Sequence, residues 1–515
     1  MTRVSSGTKR LLVLAVLGFV VAACGGSPTK PPAGSSAPRP ASASARPPGQ
    51  GVLQSQVVLQ TGVRVDLLAL DQVSDRVIVA RLRAVGQSDQ PFYFENTLNE
   101  LNRFGAEGVT DPNAVSAITL FDGEKLRRYW PLVGTDGRCL CTRSFGRLQV
   151  PVRGSLDFVA AFPAPSPRMT SLDLLFPNAP PFLDVPVRQG GDAKISVGED
   201  TPAPIDTTVA PTKRSPVLPV YATSDSPGSS QSDDGSDLSI RLSADVLFAL
   251  NKAVLNPTAQ DILRDVAAKI DRSTAGTVRV DGYTDNSGND GINNPLSERR
   301  AQSVQAALQK LVTRSGVTYQ PKGHGSANPV ASNDTEEGRR LNRRVTVTFT
   351  SPKDKPAAAG SATPAPSGPA TTTVRASSRP PKYGGAWPAD PAKLSATVSG
   401  LRRDSHGNAV VTVTVRNDDP AVLNMAAMLT TSDGPHHGDD TSGVLVTSGK
   451  VRYRPLYDSA LHYLGPAFDM LEDKYTDLGM GRQLTVTAMY RLPAAVTAVT
   501  VEVPGFQPAP NVPVK

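Results

Sequence analysis

Cysteine is scarce: three occur in 515 residues. That excludes a disulfide-built scaffold and leaves each cysteine needing its own explanation. After residue 21 no apolar run is long enough to cross a bilayer, so a helical membrane span is not expected in the mature chain. Charge of one sign is also missing. With 54 Lys+Arg against 47 Asp+Glu the formal net charge is +7, and no basic stripe forms, which argues against a nucleic-acid partner. Neither a nucleophile elbow nor an HExxH pair appears, so no catalytic residues and no cofactor are expected. Proline and glycine are plentiful, at 46 and 43 residues. A chain of this length so rich in breakers reads as several domains on linkers.

The first cysteine follows a short leader. Arg3, Lys9 and Arg10 precede an apolar stretch from Leu11 to Val21, and Val21-Ala22-Ala23-Cys24 follows. The stretch fits the core of a secretory signal. The Val-Ala-Ala-Cys step resembles a lipobox, which implies a signal peptide over 1–23, lipidation of Cys24 and a membrane anchor made of lipid alone. Residues 24–51, almost all Pro, Ser, Ala and Gly, form a linker that reaches roughly 80 Å if extended at about 3.1 Å per residue. Residues 52–187 carry short β-rich runs between turn signals, as an all-β sandwich does. A second linker is expected over 188–236, ending in SDSPGSSQSDDGSD, and a third over 351–381. Residues 382–515 are β-rich again. KLRRYWPL at 125–132 is echoed by KVRYRPL at 450–456, and LDFVAAF at 156–162 by LTVTAMY at 484–490. The two segments therefore read as divergent copies of one sandwich, for which a shared strand order is the requirement.

Between them lies the stretch around which the chain is organised, TVRVDGYTDNSGNDGINNPLSERRA at 277–301. Val278 and Val280 alternate with polar residues as in a half-buried strand, and Asp285 to Gly291 form a polar loop. Leu296, Ala301, Val304, Leu308 and Leu311 then recur at helical spacing, with Ser297 expected as N-cap. The loop brings an acid, and the helix a guanidinium, to one mouth. Such a pair suits a zwitterion, whose ammonium meets the carboxylate and whose carboxylate meets the guanidinium fork.

TDNSG, LSERRA and, further on, GHGSANPVASNDTEEGRRLNRRV resemble the OmpA-like peptidoglycan-binding domain, over residues 239–350. The resemblance implies an α/β sandwich with a mixed sheet of βαβαβ type, spanning 237–350. It also implies that Asp285 and Arg300 grip the diaminopimelate of the wall's stem peptide, with Asn293 and Arg343 lining the pocket. Where the family writes Phe-Asp after its first strand, this chain has Phe248-Ala249, so one supporting carboxylate is absent.

Cys139 and Cys141 stand two apart in a chain bound for an oxidising compartment, and a small disulfide between them is feasible. His436, His437, Asp439 and Asp440 fall in a Gly- and Pro-rich turn and are not expected to hold a metal. The sequence thus reads as a lipid-anchored envelope protein that binds peptidoglycan and presents two β-sandwiches, with room for envelope protein partners. The membrane is an outer membrane or the outer face of a monoderm's membrane. A wall-modifying enzyme, or a redox sensor using the Cys139–Cys141 pair, are the alternatives.

Overall fold

The computed structural model describes residues 51–58, 62–94, 115–134, 139–142, 148–165, 168–177, 179–191, 194–195, 205–206, 217–352, 371–380, 383–430, 442–460, 462–465 and 477–515. The signal peptide, Cys24, nearly all of the first linker and the His436, His437, Asp439, Asp440 turn lie outside them. No helix among the described residues is long and apolar enough to cross a membrane.

The chain is mostly β, in several sheets. In the first flanking segment one antiparallel sheet runs Gln54–Val58, Val63–Gln72, Val77–Gly86, Ser155–Pro163. A second series runs Phe182–Pro186, Ser171–Leu175, Thr119–Asp122, Arg127–Tyr129. Leu67, Leu82 and Phe158 of the one and Leu120, Leu174 and Phe182 of the other share a single core. The last segment repeats this arrangement. Thr371–Arg375, Leu394–Ser399, Asn408–Asn417 and Gln483–Arg491 form one series, and Ala509–Pro513, Ala498–Glu502, Leu445–Ser448 and Val451–Tyr453 the other. Period-two alternation explains why these are strands: in Asn408–Asn417, Val411, Val413 and Val415 are buried while Thr412 and Thr414 are only half-buried.

Two linker assignments need correction. Within 188–236, Val217–Ser226 and Ser229–Asp233 form an antiparallel hairpin, turned at Pro227-Gly228 with Gly228 at φ +81°. Its first strand pairs in succession with Arg127–Tyr129 of the first flanking segment and with Tyr457–Asp458 and Arg452–Tyr453 of the last. Its second strand pairs with Asp237–Ser243 of the central domain. The first strand opens Val217-Leu218-Pro219-Val220-Tyr221, whereas the tip and the second strand are Ser, Asp, Thr and Gln held by backbone pairing, and the side chains are mostly half-buried. Apolar periodicity therefore gives no warning of the second strand, and Pro219 interrupts that of the first. Likewise Thr371–Arg375, inside the expected third linker, is a strand of the last segment.

The flanking segments also meet each other, instead of standing apart on either side of the central domain. Phe121, Leu126, Leu175 and Leu183 pack with Val410, Leu456, Leu464 and Met489 around Val220 of the hairpin. Beside this cluster Arg128 Nη1 donates to Asp458 at 3.1 Å, both side chains buried.

The central domain continues the hairpin sheet in the order Asp237–Ser243, Arg344–Thr350, Thr277–Gly282, Thr318–Gly323. The last pair is parallel and the others antiparallel. Helices Ala259–Arg272 and Asp290–Leu311 cover the sheet through Leu263, Val266, Ile270, Val304 and Leu308. The second helix lies unusually close to the strands. Gly282 and Gly323 are partners in register, and a Cβ on the first would sit 2.2 Å from Ser297 O, on the second 2.4 Å from Glu298 N. Two facing glycines let the helix backbone rest on the sheet, which fixes the height of its arginines over the loop.

Candidate functional site

The Thr277–Gly282 strand ends beneath a loop whose shape is set by local hydrogen bonds. Asp285 Oδ1 accepts from Ser287 N at 3.0 Å, and Asn293 Nδ2 donates to Gly288 O at 3.0 Å and to Asp285 O at 3.4 Å. Asn293 thus pins the loop to the helix. The helix begins at Asp290, capped by Asn289, whose side chain accepts from Ile292 N. Ser297, expected as the cap, is instead buried in the third turn. There its hydroxyl donates to Asn294 O and accepts from Gly325 N at 2.9 Å. Asparagine is as strong a cap as serine, and the turn it starts was masked by Pro295.

A cleft of about 660 Å³ opens between this loop, the 245–251 segment and the Glu336–Asn342 helix. Asp285, Arg300, Asn293 and Arg343 all line it, and so does Ala249. The four anticipated residues are brought together, but not as one ion pair. Among the described residues Asp285 and Arg300 form no salt bridge. The partner of Asp285 is Arg343, whose Nη1 donates to Asp285 Oδ2 at 2.7 Å. The same guanidinium meets Asp245 through Nε and Nη2, both at 2.9 Å, and Glu336 Oε1 at 2.9 Å. Arg343 is therefore the hub of the site, where the sequence had placed it on the lining.

Arg300 is held differently. Its Nε donates to Lys252 O at 3.0 Å, and its guanidinium lies 5.3 Å from the Phe248 ring centroid. Only 4 % of the residue is exposed, yet it lines the cleft, and among the described residues its Nη atoms meet no hydrogen-bond partner. Burial lowers its pKa, partly opposed by Asp245 and reinforced by Arg343. For Asp285 burial pushes the carboxyl up, but the bonds from Arg343 and Ser287 outweigh it and leave the group below its ordinary range. Hydrogen bonding to Asp245 first, against burial, raises Arg343. The site thus offers a positive fork with open donors next to an acidic cluster. That is the chemistry of zwitterion recognition.

Asp245 and Glu336 were missed. The signal for Asp245 was an acid four residues before the absent Phe-Asp carboxylate, and only the short Ala244–Leu247 helix turns it into the cleft mouth. For Glu336 the signal was Thr335, which caps its helix by accepting from Gly338 N at 3.0 Å.

Cys139 and Cys141 are bridged to each other, and both are buried. Among the described residues no group of His, Cys, Asp or Glu has the geometry of a metal site.

A profile of the OmpA family matches residues 247–343. YfiB of Escherichia coli is 40 % identical over 122 residues, which are 23 % of this chain and 75 % of that protein. The outer-membrane lipoprotein YfiB of Pseudomonas aeruginosa is 40 % identical over 106 residues, 21 % of this chain and 62 % of that one. The peptidoglycan-binding protein ArfA of Mycobacterium tuberculosis is 43 % identical over 104 residues, 20 % of this chain and 31 % of its own length. The chain therefore spans less than two thirds of the last two relatives. Among solved structures, the cell wall anchor of the T6SS from Pseudomonas aeruginosa aligns with a TM-score of 0.22 and 28 % identity, over 24 % of this chain and 89 % of that one. Profile, identity and cleft coincide on the same hundred-odd residues, and the chain belongs to the OmpA family.

Proposed function

We propose that the chain binds diaminopimelate-type peptidoglycan non-covalently through this cleft, and that lipid on Cys24 ties the bound wall to a membrane. The observation that carries the reading is Arg300, buried in the cleft with open guanidinium donors beside the carboxylates of Asp285 and Asp245. The free end of a diaminopimelyl residue carries an ammonium and a carboxylate on one carbon, and each finds its complement there. The name of ArfA and the lipoprotein name of the Pseudomonas YfiB support the same reading. The flanking segments are read as two copies of one β-sandwich that present surfaces in the envelope. The protein acts by binding and tethering, not as an enzyme.

Purified protein should sediment with diaminopimelate-type sacculi and be displaced by free diaminopimelate, and it should release no soluble fragments from the wall. Equal retention on sacculi with lysine at the same position sinks the reading, because lysine lacks the second carboxylate that Arg300 would take. For the anchor, the intact mass of the mature protein should show acyl groups on Cys24 and nothing before it. A mature chain that begins elsewhere, unmodified, excludes the lipid tether.

A further inference from the structure

The interface between the two flanking segments buries carboxyl groups from both sides. Asp173 comes from the Ser171–Leu175 strand of the first, and Asp404 from the turn before the Asn408–Asn417 strand of the last. They are 2 % and 4 % exposed. The chain wraps them closely. Asp173 Oδ1 accepts from Asp184 N at 2.8 Å, and Asp184 in turn accepts from Ser405 N at 2.9 Å across the interface. Asp404 Oδ1 accepts from His406 N at 2.9 Å and Asn408 N at 2.7 Å, and its Oδ2 accepts from Asn408 Nδ2 at 2.6 Å.

What remains is a surplus of acceptors. Asp173 Oδ2, Asp122 Oδ2 and Asn408 Oδ1 are buried without a hydrogen-bond partner. Asp173 and Asp404 are neighbours across the interface, joined through Asp184 and Ser405, and among the described residues neither has an ion pair with a cation. The charged groups around them are mostly of the wrong kind or otherwise engaged. Asp184 also faces Asp173. Arg403 lies near Asp404 but donates to the carbonyls of Leu492 and Val496. Glu124, Lys125 and His406 face Asp122, and Arg491 Nη1 donates to Gly123 O. Two ionised carboxylates cannot occupy one dry contact, whereas a proton between them supplies the missing donor.

We propose that Asp173 holds a proton across this interface from Asp404, and that its loss loosens the docking of the two flanking segments. Burial first, and then the neighbouring Asp404, push the Asp173 carboxyl well above the carboxylate range. A group raised in the docked state stabilises docking fully below its undocked pKa, about 4, and the contribution fades as pH rises through the docked value. The interface is thus a proton-dependent clamp.

Hydrogen exchange on the full mature chain between pH 5 and 9, corrected for the intrinsic rate, tests this at the amides of Asp184 and Ser405. Their protection should fall by up to roughly tenfold per pH unit above the undocked pKa and level off once the docked Asp173 has lost its proton. Asp173→Asn supplies a permanent donor and should flatten that slope and keep protection at high pH. Asp404→Asn should do the same and serves if the first variant does not fold. His406→Asn should keep the wild-type slope, which separates the carboxyl pair from the imidazole. A flat wild-type profile, asparagine variants with the wild-type slope, or protection lost in parallel throughout residues 237–350 would each overturn the proposal.

Discussion

Arg300→Ala and Asp285→Ala should each weaken sedimentation with diaminopimelate-type sacculi by at least tenfold. Removing one partner of a desolvated, hydrogen-bonded charge pair costs roughly 2–5 kcal/mol, much of it from the charge left behind. The two substitutions act in different ways. Arg300 hydrogen-bonds the protein only through Nε, at Lys252 O, and rests on the Phe248 ring, so alanine there removes mainly contacts made in the complex and should leave the fold intact. Asp285 is already bonded to Arg343 and Ser287, so its loss also frees the hub arginine to turn toward Asp245 and Glu336.

A residue that merely lines the rim, as the family resemblance implies for Arg343, would give Arg343→Ala a milder effect than the other two. The structure reverses that ranking: without this guanidinium Asp245 and Asp285 lose their cation, while Glu336 keeps only Arg339. Arg343→Ala should therefore reduce binding at least as much as Asp285→Ala, and Arg343→Lys should rescue it poorly, since one ammonium cannot bridge three carboxylates with a planar fork. Circular dichroism provides the control. Folded Arg300→Ala and Asp285→Ala proteins that sediment like wild type would show that the pair is structural and that the fold is present without its site.

The second large effect is on stability. Arg128→Met should destabilise the chain by about 3–5 kcal/mol, because it strands the Asp458 carboxylate in a fully buried position. Pairing Arg128→Met with Asp458→Leu should recover most of the loss, since replacing both members of a buried ion pair by apolar groups is often neutral. Denaturant melts of the single and double variants measure this. A single variant as stable as wild type means the pair contributes nothing.

The same carboxyl gives an acid limb. Burial raises the Asp458 pKa, but the hydrogen bond from His462 and the charge of Arg128 outweigh it and leave the group below its ordinary value. A depressed carboxyl contributes stability above its unfolded pKa of about 4, and that contribution is lost as pH falls through the folded value. Docking of the flanking segments should thus weaken at acid pH through Asp458 and at high pH through Asp173.

Much of this protein was legible before any fold was known. Val278, Val280 and the Leu296-to-Leu311 spacing specify strand and helix by periodicity alone, and TDNSG with LSERRA places Asp285 and Arg300 at one mouth. Alternating valine and threonine announce the strands of the flanking segments. These features are local, written in side-chain type at fixed spacing.

Tertiary structure decided the rest. Residues 223–233 carry no apolar pattern, and 217–233 are strands because the edges of three neighbouring domains present unpaired N–H and C=O groups to their backbone. Arg343 is the hub because Asp245, Asp285 and Glu336, 98, 58 and 7 residues away in sequence, converge on one guanidinium. Asp173 and Asp404 are ordinary surface-type residues until the two flanking segments close over them. Spacing along a chain encodes what repeats within one element. Which distant edges pair, and which charges lose their water together, depends on the packing of elements that the sequence describes only one at a time.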